Sequence, residues 1–340
     1  MINVSAITSG LRVPSSRFRV RQFIEPLSAF GIRVSEHPLP IEKYTPKLPA
    51  PFQYFMEASK ALVRIPALLA AKRSDLTWLE RELIPRRCTL ERFAGTKRVF
   101  DVDDAIWLTD ESNFSEEIAA ECNGVIAGNQ FIADHYRKEG YKVWIVPTSI
   151  NTEVWRPGPK RASINWTIGW TGSSSNLPYL YDIEEPMADF LTRHTDTRLL
   201  VVCDKKPLFK KIPAACWHFE KWSAETEVPL VQQMNVGLMP LRNTEWARMK
   251  CALKMILYMA VGIPTVVSPV GVNAEILGQS EVGLPATSGD GWYEGLRLLY
   301  YDRALASRFG AAGRKLAEER YSTAKNVSLL AHIFREVLAL

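Results

Sequence analysis

Residues 239–276 read MPLRNTEWARMKCALKMILYMAVGIPTVVSPVGVNAEI. Apolar residues recur at helical spacing over 249–262, and Gly262-Ile263-Pro264 ends that pattern, because glycine suits the turn that closes a helix and proline cannot continue one. The run 264–268 (PTVVS) is short, β-branched and apolar, as expected of a strand covered on both faces. The loop Pro269-Val270-Gly271-Val272-Asn273 then opens another helix with Glu275 in its first turn. Helix, buried strand and helix in so short a span form the repeating unit of a parallel α/β sheet.

The same alternation runs outward from this stretch in both directions. Upstream, the patterns predict strands at 2–7, 32–36, 76–79, 98–102, 124–128 and 142–147. Helices are predicted between them at 16–30, 52–71, 85–94, 113–121 and 129–138, the last capped by Asn129. The stretch 146–165 (VPTSINTEVWRPGPKRASIN) breaks the rhythm with three prolines and a polar, basic end, so a linker is placed at 151–165. Strands then resume at 166–171, 198–203, 236–240, 264–268 and 282–285, with helices at 176–193, 225–235, 249–262, 289–301, 302–319 and 322–338. Two doubly wound, Rossmann-like domains follow, 1–150 and 166–320, with a C-terminal helix over 321–340 that packs back on the first. Ligands of such sheets bind beyond the carboxyl ends of the strands.

Composition narrows the class. The chain has 340 residues, 47% of them apolar, and no run long enough to span a bilayer. Five scattered cysteines without C-x-x-C spacing argue for reduced thiols in a cytoplasmic protein and against a zinc site. The start MINVSAITSG has no basic region followed by an apolar core, so no secretory signal is read there. Charge is uneven: residues 1–100 hold 17 Lys and Arg against 8 Asp and Glu, whereas 101–150 hold 3 against 10. A basic first third suits an anionic membrane surface, an acidic substrate or an ordinary solvated face. Nucleic acid is disfavoured, since none of its recognisable binding modules is present.

Four segments carry candidate chemistry. The first βα junction, 8–22, is rich in small residues and bears Ser15, Ser16, Arg17, Arg19 and Arg21; it lacks the glycines of a dinucleotide fingerprint and the lysine of a P-loop, yet amides at the helix start can hold an anion. The alternative there is a capped helix with solvated arginines. The segment 167–180 (TIGWTGSSSNLPYL) places Gly172, Ser173, Ser174 and Asn176 after a strand, where small residues let a phosphate approach the backbone. Lys250 and Lys254, four apart in the predicted helix 249–262, would share one face near its N-terminus, an unfavourable place for two cations unless an anion sits between them. Finally KRVFDVDDAIWL (97–108) crowds Asp101, Asp103 and Asp104 together. They can hold a metal, work as a carboxylate pair on a hydroxyl, or end a strand in solvent.

The pattern from Lys254 to Glu275, K-x-x-x-Y-M-A-x-G-I-P-x-V-x-S-P-x-G-x-N-x-E, resembles the donor half of the family 4 glycosyltransferases, retaining enzymes of the GT-B fold. SSRFRVRQFIEPLSAFGIRV, RVFDVDDAIW, NGVIAGNQFIADHYR and VPTSINTEVWRP resemble their counterparts in the same order, so the likeness covers nearly the whole chain. It implies two Rossmann-like domains facing across a cleft. The activity it implies is transfer of a sugar from a UDP- or GDP-sugar to a hydroxyl of a glycan or lipid-linked acceptor, with retention, without a cofactor or bound metal. The donor would meet Gly172, Ser173, Ser174, Lys250, Lys254, Gly271, Val272, Asn273 and Glu275. The acceptor side would lie at Ser16, Arg17, Arg19 and Trp107. Family members show a His-Asp pair where Asp103 and Asp104 stand, so the resemblance makes Asp103, supported by Asp104, the group that orients the acceptor hydroxyl, and leaves Asp101 structural. The leaving phosphate would take the proton.

The chain departs from the family at two motifs, and at one of them the arginine that many members carry after the first strand of the second domain is replaced by Gly172-Ser173-Ser174. Aligned on Ala260-Val261-Gly262, the two glutamates that many members direct at the donor sugar and the ribose are replaced by Met249 and Leu257. A nucleotide-sugar-binding protein without turnover and a nucleotide-sugar epimerase of the same fold are the alternatives. The helix 52–71, with Lys60, Arg64 and the flanking Lys72-Arg73, either packs on its own sheet or meets the inner face of a membrane.

Overall fold

A computed structural model describes residues 1–44, 49–109, 112–159 and 165–340. The chain forms two compact units. The first comprises Met1–Ser149, Met249–Cys251 and Thr323–Leu340, and the second Ile150–Arg248 and Ala252–Ser322.

The first unit is built on β1 (Ile2–Thr8), β2 (Ile32–Pro38), β3 (Leu76–Glu80), β4 (Arg98–Val102), β5 (Val125–Ala127) and β6 (Val143–Ile145), all parallel in the order β2-β1-β3-β4-β5-β6. Side chains leave each strand alternately, which gives two cores. On one face Leu79, Phe100, Val102 and Val125 pack with Ala67, Leu68 and Ala71 of the helix Ala50–Ala71 and with Ile132 and Tyr136 of the helix Gln130–Lys138. On the other, Val4, Trp78 and Val99 pack with Phe23, Leu27 and the C-terminal helix Thr323–Ala339, whose Phe334 meets the Trp78 ring edge-on with centroids 5.2 Å apart.

The second unit has β7 (Trp166–Gly172), β8 (Thr197–Cys203), β9 (Trp217–Lys221), β10 (Val236–Met239), β11 (Thr265–Val267) and β12 (Gly283–Pro285), again parallel, in the order β12-β11-β10-β7-β8-β9. Its core joins Trp170, Val201, Leu238 and Val266 to Phe190, Trp292 and Leu296 from the flanking helices.

Several expected elements differ. Strand β9 carries no apolar run, because it is a half-exposed edge strand that needs few core residues. The expected helix 85–94 is reduced to one turn, Glu91–Phe93; the Glu91 carboxylate accepts the backbone amides of Leu83, Thr89 and Leu90 and so holds the chain in a loop. The helix 16–30 is an uneven one, a wide turn over Ser16–Val20, a tight one over Arg21–Phe23 and a regular one over Ile24–Ser28, where Pro26 removes a donor from the ladder. The helix 249–262 starts only at Leu253, because Ala252 takes a left-handed conformation, φ 54°. Lys60 and Arg64 are buried: Lys60 Nζ donates to the Lys43 carbonyl (2.6 Å) and Arg64 to the Thr8 carbonyl (2.9 Å). The cations of this helix face inward. Among the described residues no helix is long and apolar enough to cross a membrane.

Candidate active site

The carboxyl ends of β1, β3 and β4 carry a dense polar cluster whose centre is Glu80-Arg81-Glu82, directly after β3. Residue 81 sits in the left-handed region (φ 59°), a conformation that costs a side-chain-bearing residue about 1–2 kcal/mol. The surrounding bonds hold it there. Its amide donates to the Asp101 carbonyl (3.0 Å) and its guanidinium forks, Nε to Asp103 (2.8 Å) and the terminal nitrogen to both Asp103 (2.7 Å) and Asp104 (2.5 Å). Burial raises the Asp103 carboxyl above the ordinary range, and Arg81 opposes that rise. Arg81 itself is pushed well up, since the pull of Asp103 and Asp104 outweighs its burial.

Glu80 turns toward β1. Its carboxylate accepts from the Ser9 amide (2.7 Å) and the Ser16 hydroxyl (2.8 Å), while Lys43 Nζ donates to Ser9 Oγ (2.9 Å) and pairs with Glu82 (3.2 Å). The small-residue loop after β1 thus holds an anion, and that anion is the chain's own. Burial alone would raise Glu80; Lys43 and Arg81 bring it below the usual carboxylate range. Ser16 is fully buried in this role. Arg19 is buried as well, with Nε on Asp101 (2.8 Å) and a terminal nitrogen on the Val146 carbonyl (2.6 Å), so it is not solvated. Asp101 also accepts from the Trp78 indole (3.1 Å), and burial lifts its carboxyl to about 6. The three aspartates therefore part company: Asp101 anchors Arg19 below the sheet end, and Asp103 and Asp104 share Arg81. Arg17 is half-buried beside the Phe18 ring, and Trp107 is stacked on His135, centroids 3.8 Å apart.

The segment Met249–Cys251 belongs to this unit. The Asn129 side chain caps the helix Gln130–Lys138 by accepting from the Ile132 amide (2.9 Å) and donates to the Met249 carbonyl (2.7 Å); Cys251 Sγ donates to the Asp103 carbonyl (3.1 Å). Gly128 permits this approach, for a Cβ there would lie 2.5 Å from Cys251 Sγ. Lys250 is held within this segment and Lys254 lies in the helix Leu253–Ala260 of the other unit, so the expected shared helix face does not exist; the left-handed Ala252 separates them.

In the second unit Gly172 ends β7 and Lys254 crosses it. A Cβ on Gly172 would stand 2.7 Å from Lys254 Cε and 3.0 Å from the Trp170 ring, above which Lys254 Nζ lies at 5.7 Å. Ser173 bonds to Ser175 (2.9 Å), and the Ser174 amide and hydroxyl are both taken by Asp204, at 2.5 and 2.8 Å. Those bonds outweigh burial and keep Asp204 below its usual value. Gly271, φ 55°, begins the helix Val272–Gln279; a Cβ there would fall 2.2 Å from the Arg248 carbonyl. Val272 and Asn273 are buried, and Asn273 donates to the Ser268 carbonyl (3.1 Å) while its Oδ1 has no hydrogen-bond partner among the described residues. Glu275 is exposed in the first turn, its carboxyl raised by partial burial.

The structure thus brings Gly172 to Lys254, and Asp103 to Asp104, and commits Ser16, Arg19 and Ser174 to internal partners. Glu80, Arg81, Glu82, Lys43 and Asp204 were not anticipated. The run of charges right after an apolar strand could have pointed to Glu80, Arg81 and Glu82, but no sequence signal marked Lys43 or Asp204. Among the described residues no group of three or more His, Cys, Asp or Glu is placed to hold a metal ion.

No protein-family model matches the sequence, and no curated protein matches it. Solved structures do. Sucrose-phosphate synthase from Thermosynechococcus elongatus superposes with a TM-score of 0.71 at 13% identity over 100% of both chains. Anabaena HepE in complex with UDP and glucose gives 0.69 at 13% over 98% of this chain and 100% of its own. A Listeria monocytogenes protein described as a UDP-N-acetylglucosamine 2-epimerase gives 0.63 at 12% over 98% and 97%. With two six-stranded parallel sheets flanked by helices and these neighbours along its whole length, the chain has the α/β GT-B fold.

Proposed function

We propose that the protein is a retaining glycosyltransferase that moves a sugar from a UDP- or GDP-sugar to a hydroxyl of a glycan or lipid-linked acceptor. The observation that carries this reading is the crossing of Lys254 over Gly172 at the end of β7, in the same unit as the glycine-started helix Val272–Gln279. A cation laid across a bare backbone turn suits a departing diphosphate, whose stabilisation is an electrostatic task. The complex of HepE with UDP and glucose supports a nucleotide-sugar donor.

In the proposed reaction the bond from the anomeric carbon to phosphate oxygen breaks and a bond to the acceptor oxygen forms on the same face. The acceptor proton passes to the leaving phosphate, and Lys254 balances the charge that develops there. Gly271, Val272 and Asn273 line the donor with amides, and Glu275 sits at the same helix start. Asp103, fixed by Arg81 and flanked by Asp104, orients the hydroxyl. No cofactor takes part in this scheme.

The test is release of UDP or GDP from a panel of nucleotide sugars with and without acceptors. Asp103→Asn should lower transfer at least tenfold while leaving donor affinity intact. Tight donor binding with no release under any acceptor would leave a binding protein. Epimerisation without acceptor would instead favour the second reading, which the Listeria neighbour supports.

A further inference from the structure

In the second unit the strand order β12-β11-β10-β7-β8-β9 winds outward from its middle in two directions, so β7 and β10 flank the switch point, where such sheets open a crevice for ligands. The pairing shows the opening. β7 stays in register with β8 as far as Gly172 opposite Cys203, and β10 with β11 as far as Met239 opposite Val267. Among the described residues, β7 and β10 pair only at Ile168 with Val236 and at Gly169 with Gly237. Beyond that point a side chain takes over the ladder between them. The Tyr258 hydroxyl accepts from the Thr171 amide (3.1 Å) and donates to the Leu238 carbonyl (3.3 Å), which satisfies one buried backbone group on each strand. Tyr258 is fully buried, and its ring lies against Gly237, where a Cβ would stand 2.3 Å from it. Gly237 makes room for the ring, and the hydroxyl keeps the two strands from closing.

We infer that Tyr258 is a positioning residue: it holds the carboxyl ends of β7 and β10 apart and fixes Lys254 over Gly172. Lys254 and Tyr258 stand four apart in the helix Leu253–Ala260 and so share one face. Their contacts fall on consecutive residues of β7. Tyr258 meets Thr171, and Lys254 Cε lies 2.7 Å from the place that a Cβ on Gly172 would take. One helical turn is thereby pinned against the end of a strand, with the phenol as the fixed end and the ammonium as the working end. Burial pushes the phenol up, so it keeps its proton and remains a donor to Leu238. Without the hydroxyl, Lys254 keeps its charge but loses its fixed place, and a cation free to swing on a flexible stem stabilises developing charge less well than a preorganised one. This role rests on the reading of Lys254 as the partner of the donor diphosphate.

Tyr258→Phe removes the hydroxyl and keeps the ring against Gly237. In the full-length protein without nucleotide, the Thr171 amide should exchange slowly with deuterium, and about tenfold faster in the variant. Acetylation of Lys254 by acetic anhydride, read by mass spectrometry, should rise in the variant as the side chain is released. In calorimetry with UDP, Tyr258→Phe and Lys254→Met should each lower affinity by about tenfold, and the double variant should match Lys254→Met alone, because the hydroxyl acts through the ammonium. A role confined to stability would leave the two losses additive and the labelling unchanged. Unchanged labelling, additive losses, or a Thr171 amide that already exchanges freely in the wild type would each overturn the inference. UDP affinity indifferent to Lys254→Met would overturn the donor reading instead, and the exchange and labelling results would still decide whether Tyr258 seats Lys254.

Discussion

Arg81→Gln removes the guanidinium that bridges Asp103 and Asp104 and leaves the left-handed backbone of residue 81 as strained as before, so the change isolates the side chain. The three side chains are 13%, 16% and 26% exposed, which makes this a largely buried network with some solvent screening. Removing one partner of a buried ion pair costs about 3–5 kcal/mol, and partial screening puts the expected loss at the lower end of that range, about 3 kcal/mol. The loss should depend on pH. Burial already raises the native Asp103 carboxyl above its unfolded value, and without Arg81 it rises further. A carboxyl raised on folding binds its proton more tightly in the native state. Its contribution to stability is therefore present in acid and lost as pH rises through the native value. Variant and wild type should then converge toward about pH 4, the ordinary carboxylate range, and diverge at neutral pH and above. Native-state hydrogen exchange of the β3 and β4 amides reads this unit without mixing in the other. Arg81→Lys, which keeps the charge but not the fork, should fall between the two. A loss equal at every pH, or no loss, would refute the assignment of Arg81 as the group that keeps these carboxylates ionised and in place.

Two glycines give sharper local tests. Gly128→Ala places a methyl 2.5 Å from Cys251 Sγ and should expel the Met249–Cys251 segment, at a cost of about 1–3 kcal/mol for overpacking. Cys251, buried and with its thiol pushed up to about 12, should then become open to alkylation; a thiol that stays unlabelled in the native variant would contradict the docking of this segment. Gly172→Ala should displace Lys254 and weaken UDP binding about tenfold, close to 1.4 kcal/mol, by calorimetry. Unchanged affinity would separate Lys254 from the diphosphate.

Regular elements were legible where the sequence carried long runs of one period. The inner strands of both sheets announce themselves because they are covered on two faces and so read as apolar runs, whereas β9, an edge, had no such pressure on its residues. What stayed hidden were decisions made by single side chains against distant backbone. Glu91 unwinds an expected helix by capturing three amides, and Ala252 turns left-handed between two lysines that helical spacing would have put side by side. The candidate site followed the same rule. Asp103 and Asp104 stand out by their proximity in sequence, but their partner Arg81 is 22 and 23 residues away, and Glu80 fills a loop that small residues had marked for an external anion.

The departure from the paired-glutamate pattern has a physical content. Met249 packs against the apolar cluster beneath β4 and β5 in the first unit, and Leu257, 2% exposed, lies in the buried stretch of the helix Leu253–Ala260 in the second. Both positions serve as packing, so a glutamate at either would have to desolvate its carboxylate or carry a proton. Leu257→Glu should therefore destabilise the second unit by about 4 kcal/mol or more, from lost packing and an unpaired buried polar group, and should gain no affinity for UDP. Leu257→Gln separates the two costs, since it changes the packing alike but adds no charge; the glutamate variant alone should recover stability as pH falls. A folded Leu257→Glu protein that binds UDP more tightly than wild type would refute this account, for it would mean that position 257 still faces the nucleotide and that the leucine removed a ribose contact without taking a place in the core.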